Sequence, residues 1–230
     1  MLAPILIFDI PSSGSGGPLM DWVLHQNKPY VLFVRNKTKT LHLLSEEAQL
    51  NVTLYEFQPF TTEAVQTHLN QLGINKIAGV ICAIDALLPV ASQIAQLFAC
   101  AFAMPDVIDL WRDKGLGRQF CKQRGFSVPD FAMISSTHLD DIKSWSKFPA
   151  IIKPRRGAGG LGVKRVDRLI DIQQFFAERK GVFNSSDWMI EALLSGPIFS
   201  VEGYVCMHHI KVLGISDRTW GLQPYFVEEG

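Results

Sequence analysis

Apolar runs alternate with helical patterns through the first hundred residues. Pro4–Ile10 predicts a buried strand, followed by a Ser/Gly-rich turn over Ser12–Gly17. Leu19–Gln26 predicts a helix and Tyr30–Val34 a second strand. Val52–Phe57 alternates weakly and reads as a third strand. Thr61–Leu72 sets Val65, Leu69 and Leu72 on one helical face. Lys76–Ala83 then predicts a strand and Leu87–Phe102 a long buried helix. Strand–helix alternation of this kind predicts an α/β protein with a wound parallel sheet and helices on both faces. Ligands of such sheets sit beyond the carboxyl ends of the strands.

The pattern changes character near Pro105, which divides the chain into a domain over 1–105 and a second over 106–230. Leu110–Gly125 predicts a charged amphipathic helix carrying Arg112, Lys114, Arg118 and Lys122, ended by Gly125. Strand Phe131–Ser135 and helix Leu139–Trp145 follow. Pro149–Lys153 and Val163–Val166 predict strands on either side of a glycine-rich loop. After them come helix Leu169–Arg179, strand Trp188–Ile190 and a hairpin reaching Asp217.

Composition narrows the class. The chain has 230 residues, 47% hydrophobic and 19% charged, which is ample for a buried core and excludes a disordered or fibrous chain. Its 22 basic residues balance 22 acidic ones, so the positive excess of a general nucleic-acid binder is absent. Zero net charge also gives little protection against self-association, and a homo-oligomer is expected. Cys82, Cys100, Cys121 and Cys206 are widely spaced, with no CxxC pair. They predict reduced, buried thiols in a cytoplasmic protein, with neither a zinc site nor a disulfide framework. The apolar N-terminus has no basic leader and does not read as a signal peptide. Ile77–Met104 is long and apolar, but Asp85 and Pro89 interrupt it, so it reads as strand, turn and helix, with no membrane partner.

Three segments carry chemistry. The loop Arg156–Gly162 holds Gly157, Gly159, Gly160 and Gly162, whose backbone amides can approach a polyanion without obstruction from Cβ atoms. It lies between two strands, so it acts as a flap over phosphates, unlike a Walker loop that opens a helix. The alternative is a long hairpin, and Lys153 at the strand end with flanking arginines favours the anion. Lys114 and Arg118, at i and i+4, share one helical face, which taken alone reads as a solvated basic face. Glu191 closes an apolar strand. The extended Ala192–Pro197 segment after it offers backbone groups to a purine edge, with Leu193 and Leu194 covering its face.

Other candidates have plainer readings. His208 and His209 fall in a hairpin turn with no third ligand at metal spacing. Asp85, at the carboxyl edge of the first sheet, is either a cap for the helix from Leu87, the favoured reading, or a substrate-side carboxylate. Asp217 and Arg218 suit a surface pair or a pocket equally. The turn Ser12–Gly17 lacks the dinucleotide spacing, which disfavours an oxidoreductase. It serves either close helix packing or a ligand contact.

Taken in order, these segments resemble the ATP-grasp superfamily, in its carboxylate–amine ligase branch, over most of the chain. The resemblance rests on Asp113-Lys114, Arg118 and Gly125-Phe126-Ser127-Val128-Pro129, then Phe148–Pro154 and Gly157–Val163. It continues through Glu191, Leu194-Ser195-Gly196-Pro197, Ser200-Val201-Glu202 and Pro224–Glu228. The fold it implies is a pre-ATP-grasp domain followed by a partial ATP-grasp α+β module. Lys114 and Lys153 then match the lysines on the ATP phosphates, and Gly157, Gly159, Gly160 and Gly162 match the flap. Glu191 matches the hinge acid, and Leu193 and Leu194 the segment that meets adenine. The implied reaction uses ATP and Mg²⁺ to phosphorylate a small carboxylate, which an amine then attacks. The two substrates are left unspecified.

Two departures qualify the expectation. Ile198 stands where many members carry a glutamate that holds the ribose hydroxyls, so weak nucleotide binding is expected. Members also continue through an arginine and the acidic and asparagine ligands for magnesium, which the residues after Glu191 do not supply. The expectation is therefore the N-terminal, truncated part of a ligase, inactive as this chain alone. The alternative is a degenerate nucleotide-binding or interaction protein without turnover.

Overall fold

The computed structural model describes residues 2–12, 15–26, 28–135, 142–178, 187–206 and 209–219. The chain forms two compact units, Met1–Leu110 and Trp111–Gly230.

The first unit is built on strands β1 (Ile5–Phe8), β2 (Tyr30–Val34), β3 (Leu54–Glu56) and β4 (Gly79–Ile81), all parallel, in the order β3-β2-β1-β4. Side-chain alternation divides its core into two layers. Leu6, Phe8, Val31 and Phe33 point to one face, where Val65 and Leu69 of α4 (Thr62–Gln71) and Ala91 and Ile94 of α5 (Leu88–Leu97) cover them. Ile7, Leu32 and Val34 point to the other, against Met20 and Val23 of α1 (Gly16–Leu24) and Ala48 of α3 (Glu46–Asn51). The wound α/β sheet expected from the sequence is therefore present.

Two helices escaped the periodicity because they are too short to display one. Helix α2 (Lys37–Leu41) and helix α3 are set instead by their caps: Asn36 accepts from the Lys39 N–H and Ser45 from the Ala48 N–H. The turn before α1 favours the packing reading in part. A Cβ on Gly16 would collide with the Pro11 carbonyl oxygen, so only glycine fits where that helix starts. Asp85 does not cap α5. It opens a 3-10 turn (Asp85–Leu87), and α5 begins at Leu88 with no side-chain cap. The apolar stretch Ile77–Met104 thus resolves into β4, this turn and α5. Among the described residues no helix is long and apolar enough to cross a membrane.

The expected single helix Leu110–Gly125 is two helices, α6 (Pro105–Arg112) and α7 (Lys114–Gln123). Asp113 adopts extended backbone angles between them and caps α7, accepting from the N–H groups of Gly115 and Leu116. The second unit holds an antiparallel sheet of β5 (Phe131–Ser135), β6 (Ala150–Pro154), β7 (Lys164–Val166) and β8 (Asp187–Ala192), in the order β5-β8-β6-β7. Helix α8 (Leu169–Glu178) lies on one face, burying Ile172 and Phe175 against Ala150, Ile152, Trp188 and Ile190. A two-stranded ribbon, β9 (Ile198–Cys206) with β10 (His209–Arg218), completes the unit.

Of the expected helix Leu139–Trp145, residues 139–141 lie outside the described residues and Ile142–Trp145 form a turn, closed by the Trp145 N–H on the Ile142 carbonyl at 2.9 Å. His208 and the segment from Trp220 that includes Glu228 and Glu229 also lie outside the described residues. The cysteines are free, but their expected burial does not hold. Cys82, Cys100 and Cys121 are half-buried, and Cys206 is exposed at the end of the solvated ribbon.

Candidate functional site

The face of the second sheet away from α8 builds the site. Strand alternation sends Ala150 and Ile152 into the core and Ile151 and Lys153 to the opposite side. In β8, Met189 and Glu191 share that side, with Met189 in register with Lys153 and Glu191 with Ile151. Lys153 and Glu191 are therefore diagonal neighbours, and the lysine Nζ donates to Glu191 Oε1. Arg118 of α7 donates through Nε to the other carboxylate oxygen at 3.1 Å. Lys114 and Arg118, one turn apart on α7, both reach this side of the sheet, as their spacing predicts. Helix α7 lies close over β5 because residue 115 has no side chain. A Cβ on Gly115 would stand 2.8 Å from Met133 Cε.

Lys153 is nearly enclosed, with 13% of its side chain exposed. Burial pushes its pKa below the ordinary lysine value, the Glu191 charge and hydrogen bond partly restore it, and Arg118 lowers it further. Lys114 Nζ donates to the Gly157 carbonyl at 2.6 Å, and its N–H donates to the Arg155 carbonyl at 2.9 Å. The flap is thus tied to the first residue of α7.

Lys114, Lys153, Gly159, Gly160, Glu191, Leu193, Leu194 and Ile198 line one cavity of about 920 Å³. That lies within the roughly 300–1,000 Å³ of small-molecule sites. Gly157 lines an adjoining recess with Lys114, Gly159 and Gly160. Gly159 and Gly160 hold φ of +66° and +69°, the left-handed region that favours glycine. Gly162, at φ +76°, serves packing: a Cβ there would meet Pro154 at 3.0 Å and Trp188 at 3.3 Å. In the hinge segment the Leu193 N–H already donates to the Pro149 carbonyl at 2.9 Å. Of the two leucines, Leu194 therefore offers the backbone donor.

Asp113 and Arg118 stand in the sequence motifs without an assigned role, and Arg155 enters only as one of the arginines flanking the glycines. Asp113 receives both Nε and Nη2 of Arg155, at 3.0 and 2.7 Å, while it caps α7. The capping pattern before α7 was the available signal for Asp113; its pairing with an arginine 42 residues on had none. Arg218 donates to Ser200 Oγ across the ribbon and lies 3.7 Å from Glu202.

Among the described residues no three His, Cys, Asp or Glu side chains gather to hold a metal ion. Glu202 is engaged by Ser216 and Arg218.

No family model matches the chain. A curated relative, pyruvate carboxylase 1 of Caenorhabditis elegans, is 25% identical over 126 residues, covering 52% of this chain and 11% of the relative. Among solved structures, the chain is similar to the L-amino acid ligase from Bacillus licheniformis, with TM-score 0.76 and 17% identity over 99% of this chain and 54% of that one. It is also similar to N5-carboxyaminoimidazole synthetase from Staphylococcus aureus complexed with ADP, with TM-score 0.70 and 16% identity over 97% and 56%. Phosphoribosylglycinamide synthetase from Anaerococcus prevotii follows at TM-score 0.60 and 14% identity, over 98% and 54%. The chain spans about half the length of these structures. Over nearly its whole length the chain therefore shares the fold of these enzymes.

Proposed function

We propose that the second unit binds an adenine nucleotide, and that the whole protein is an ATP-dependent carboxylate–amine ligase working through an acyl phosphate. The observation that carries the reading is the cavity onto which four separate segments bring Lys114, Lys153, Gly159 and Gly160, and Glu191 with Leu193–Leu194. One structural neighbour, the Staphylococcus aureus synthetase, is complexed with ADP, a ligand of matching chemistry.

In this reading Lys114 releases the Gly157 carbonyl and takes a phosphate oxygen in its place, so the flap closes around the polyphosphate. Lys153, fixed by Glu191, supplies a second positive charge beneath it. Preorganised cations of this kind favour the charge that develops on a transferred phosphoryl group. The adenine edge meets the Leu194 N–H, with Leu193 and Leu194 covering the ring. Ile198 at the cavity wall cannot accept bonds from ribose hydroxyls, so weak affinity is expected.

Thermal melts of the whole chain with ATP, ADP and inorganic triphosphate test the reading. A ligand at a hundredfold excess over its dissociation constant stabilises the folded state by about 2.7 kcal/mol. ATP and ADP should raise the melting temperature more than triphosphate does. No rise at millimolar nucleotide, from a folded sample, would remove the nucleotide site.

A further inference from the structure

We propose that the first unit carries its own binding site, for a small molecule bearing an oxyanion, a carboxylate or a phosphate, held by Arg35 and Lys39. The inference stands apart from the nucleotide reading, which concerns the second unit only. A cavity of about 240 Å³ opens at the carboxyl ends of β1 and β2, with Ile84 contributed from beyond β4. In a wound parallel sheet this is the edge where ligands bind. Its polar lining comprises Asp9, Ser12, Arg35, Asn36, Lys39 and Thr40.

The charges are arranged and not merely clustered. Asp9 is 7% exposed and has both carboxylate oxygens in use: Oδ1 accepts the Ile10 N–H at 3.0 Å, and Oδ2 accepts Arg35 Nε at 2.7 Å. A guanidinium has five N–H donors, and this bond uses one. Among the described residues the other four make no hydrogen bond, and neither does Lys39 Nζ. Two cations against one carboxylate leave the cavity with one net positive charge, suited to a single oxyanion. Both cations rest on fixed backbone. Gln58 donates to the Arg35 carbonyl at 3.1 Å, and the Asn36 side chain accepts the Lys39 N–H at 2.8 Å.

Backbone strain lies at the same place. Asp9 has a φ of +57°, costly for any residue but glycine and tolerated by aspartate better than by most. Such strain concentrates at ligand sites, and here it sets the carboxylate that positions Arg35. Ile10, Leu43 and Ile84 supply an apolar wall. The volume is below the ~300 Å³ at which drug-sized pockets begin. The ligand is therefore small, with one charged head and a short apolar body.

The test is a titration of the ¹⁵N-labelled whole chain with inorganic phosphate and, separately, with acetate, against chloride at matched ionic strength and without nucleotide. Saturable shifts of the Ile10, Asn36 and Lys39 amides are expected with at least one probe, and the tighter one identifies the head group. Lys39→Gln should weaken that binding about tenfold by removing a charge-assisted hydrogen bond. Arg35→Lys, which keeps a charge beside Asp9, should weaken it as well. Lys76→Gln, elsewhere on the surface of the same unit, should leave it unchanged. Absence of saturable shifts with both probes, or Lys39→Gln binding like the unaltered chain, would overturn the proposal.

Discussion

Asp113 binds Arg155 through two hydrogen bonds, at 3.0 and 2.7 Å, while its Oδ1 also accepts the N–H groups of Gly115 and Leu116. One carboxylate therefore starts helix α7 and fastens that start to the strand end from which the glycine flap departs. Lys114 follows Asp113 and Gly157 follows Arg156, so the position of the flap relative to Lys114 depends on this pair.

Substitution separates the two jobs. Asn keeps a capping oxygen but loses the charge, whereas Ala loses both. Arg155 is only 19% exposed and would keep only the distant Asp187 carboxylate, at 4.0 Å, so Asp113→Asn should cost roughly 2–3 kcal/mol. Asp113→Ala should cost about 1 kcal/mol more. The carboxylate is opposed by burial, but the Arg155 hydrogen bonds and charge, with the two backbone donors, hold its pKa below the ordinary 3.8. Its contribution is then complete above 3.8 and is lost as pH falls through that value towards the folded pKa. Urea unfolding at pH 7 and at about pH 3 should show the deficit of Asp113→Asn shrinking in acid. A deficit independent of pH would refute the charge assignment.

The flap glycines should divide into two classes. Alanine at either Gly159 or Gly162 meets an unfavourable left-handed backbone costing about 1–2 kcal/mol. A Cβ on Gly159 has open space around it, whereas one on Gly162 crowds Pro154 and Trp188. Gly162→Ala should therefore lose a further 1–3 kcal/mol or so through overpacking. Gly159→Ala should instead show its larger effect on nucleotide affinity. Chemical denaturation alongside calorimetric titration with ADP distinguishes them, and equal stability losses would contradict the packing role of Gly162.

His68 gives a prediction of opposite sign. Its Nε2 is buried with no hydrogen-bond partner among the described residues. The ring stands edge-on to Tyr55 at 4.1 Å and to Phe57 at 5.5 Å. Phenylalanine keeps those aromatic contacts and removes the unsatisfied nitrogen. His68→Phe should raise stability by about 1 kcal/mol, the lower end of the cost of an unpaired buried polar group. A lower melting temperature would show that the nitrogen has a partner in solution.

What the sequence made legible follows from the range of each signal. Tyr30–Val34 and Phe131–Ser135 match strands β2 and β5 residue for residue, because apolar runs between turn residues are local patterns. Helices α2 and α3, with five and six residues, are shorter than any window in which periodicity accumulates. The split at Asp113 was hidden because helical spacing continues on both sides of it. Lys114, Lys153 and Glu191, which line one cavity, were singled out through ordered motifs. The Arg118–Glu191 and Asp113–Arg155 bonds were not, since they join residues 73 and 42 positions apart. The oxyanion cavity of the first unit was missed for the same reason. Asp9 and Arg35 lie 26 positions apart, and only the parallel pairing of β1 with β2 brings them together.

Lys153 and Glu191 should respond to substitution asymmetrically. Their side chains are 13% and 11% exposed, so each charge depends on its partners. After Lys153→Met, Glu191 still has Arg118 at 3.1 Å. After Glu191→Gln, Lys153 and Arg118 face each other without a carboxylate. Glu191→Gln should therefore be the more destabilising, and the double variant should lose less than the two single losses added. Because burial holds the Lys153 pKa below the ordinary 10.5, the unfolded chain binds the extra proton between the two values. Stability of the unaltered chain should thus gain a rising component as pH climbs through the folded pKa to 10.5, and Lys153→Met should lack it. The same variant should abolish most of the ATP-induced rise in melting temperature. Lys122→Ala, on the same helix as Lys114 but set over the Phe131 ring, should preserve it. Equal loss of the ATP response in both variants would mean that diffuse charge, and not Lys153 in its cavity, holds the nucleotide.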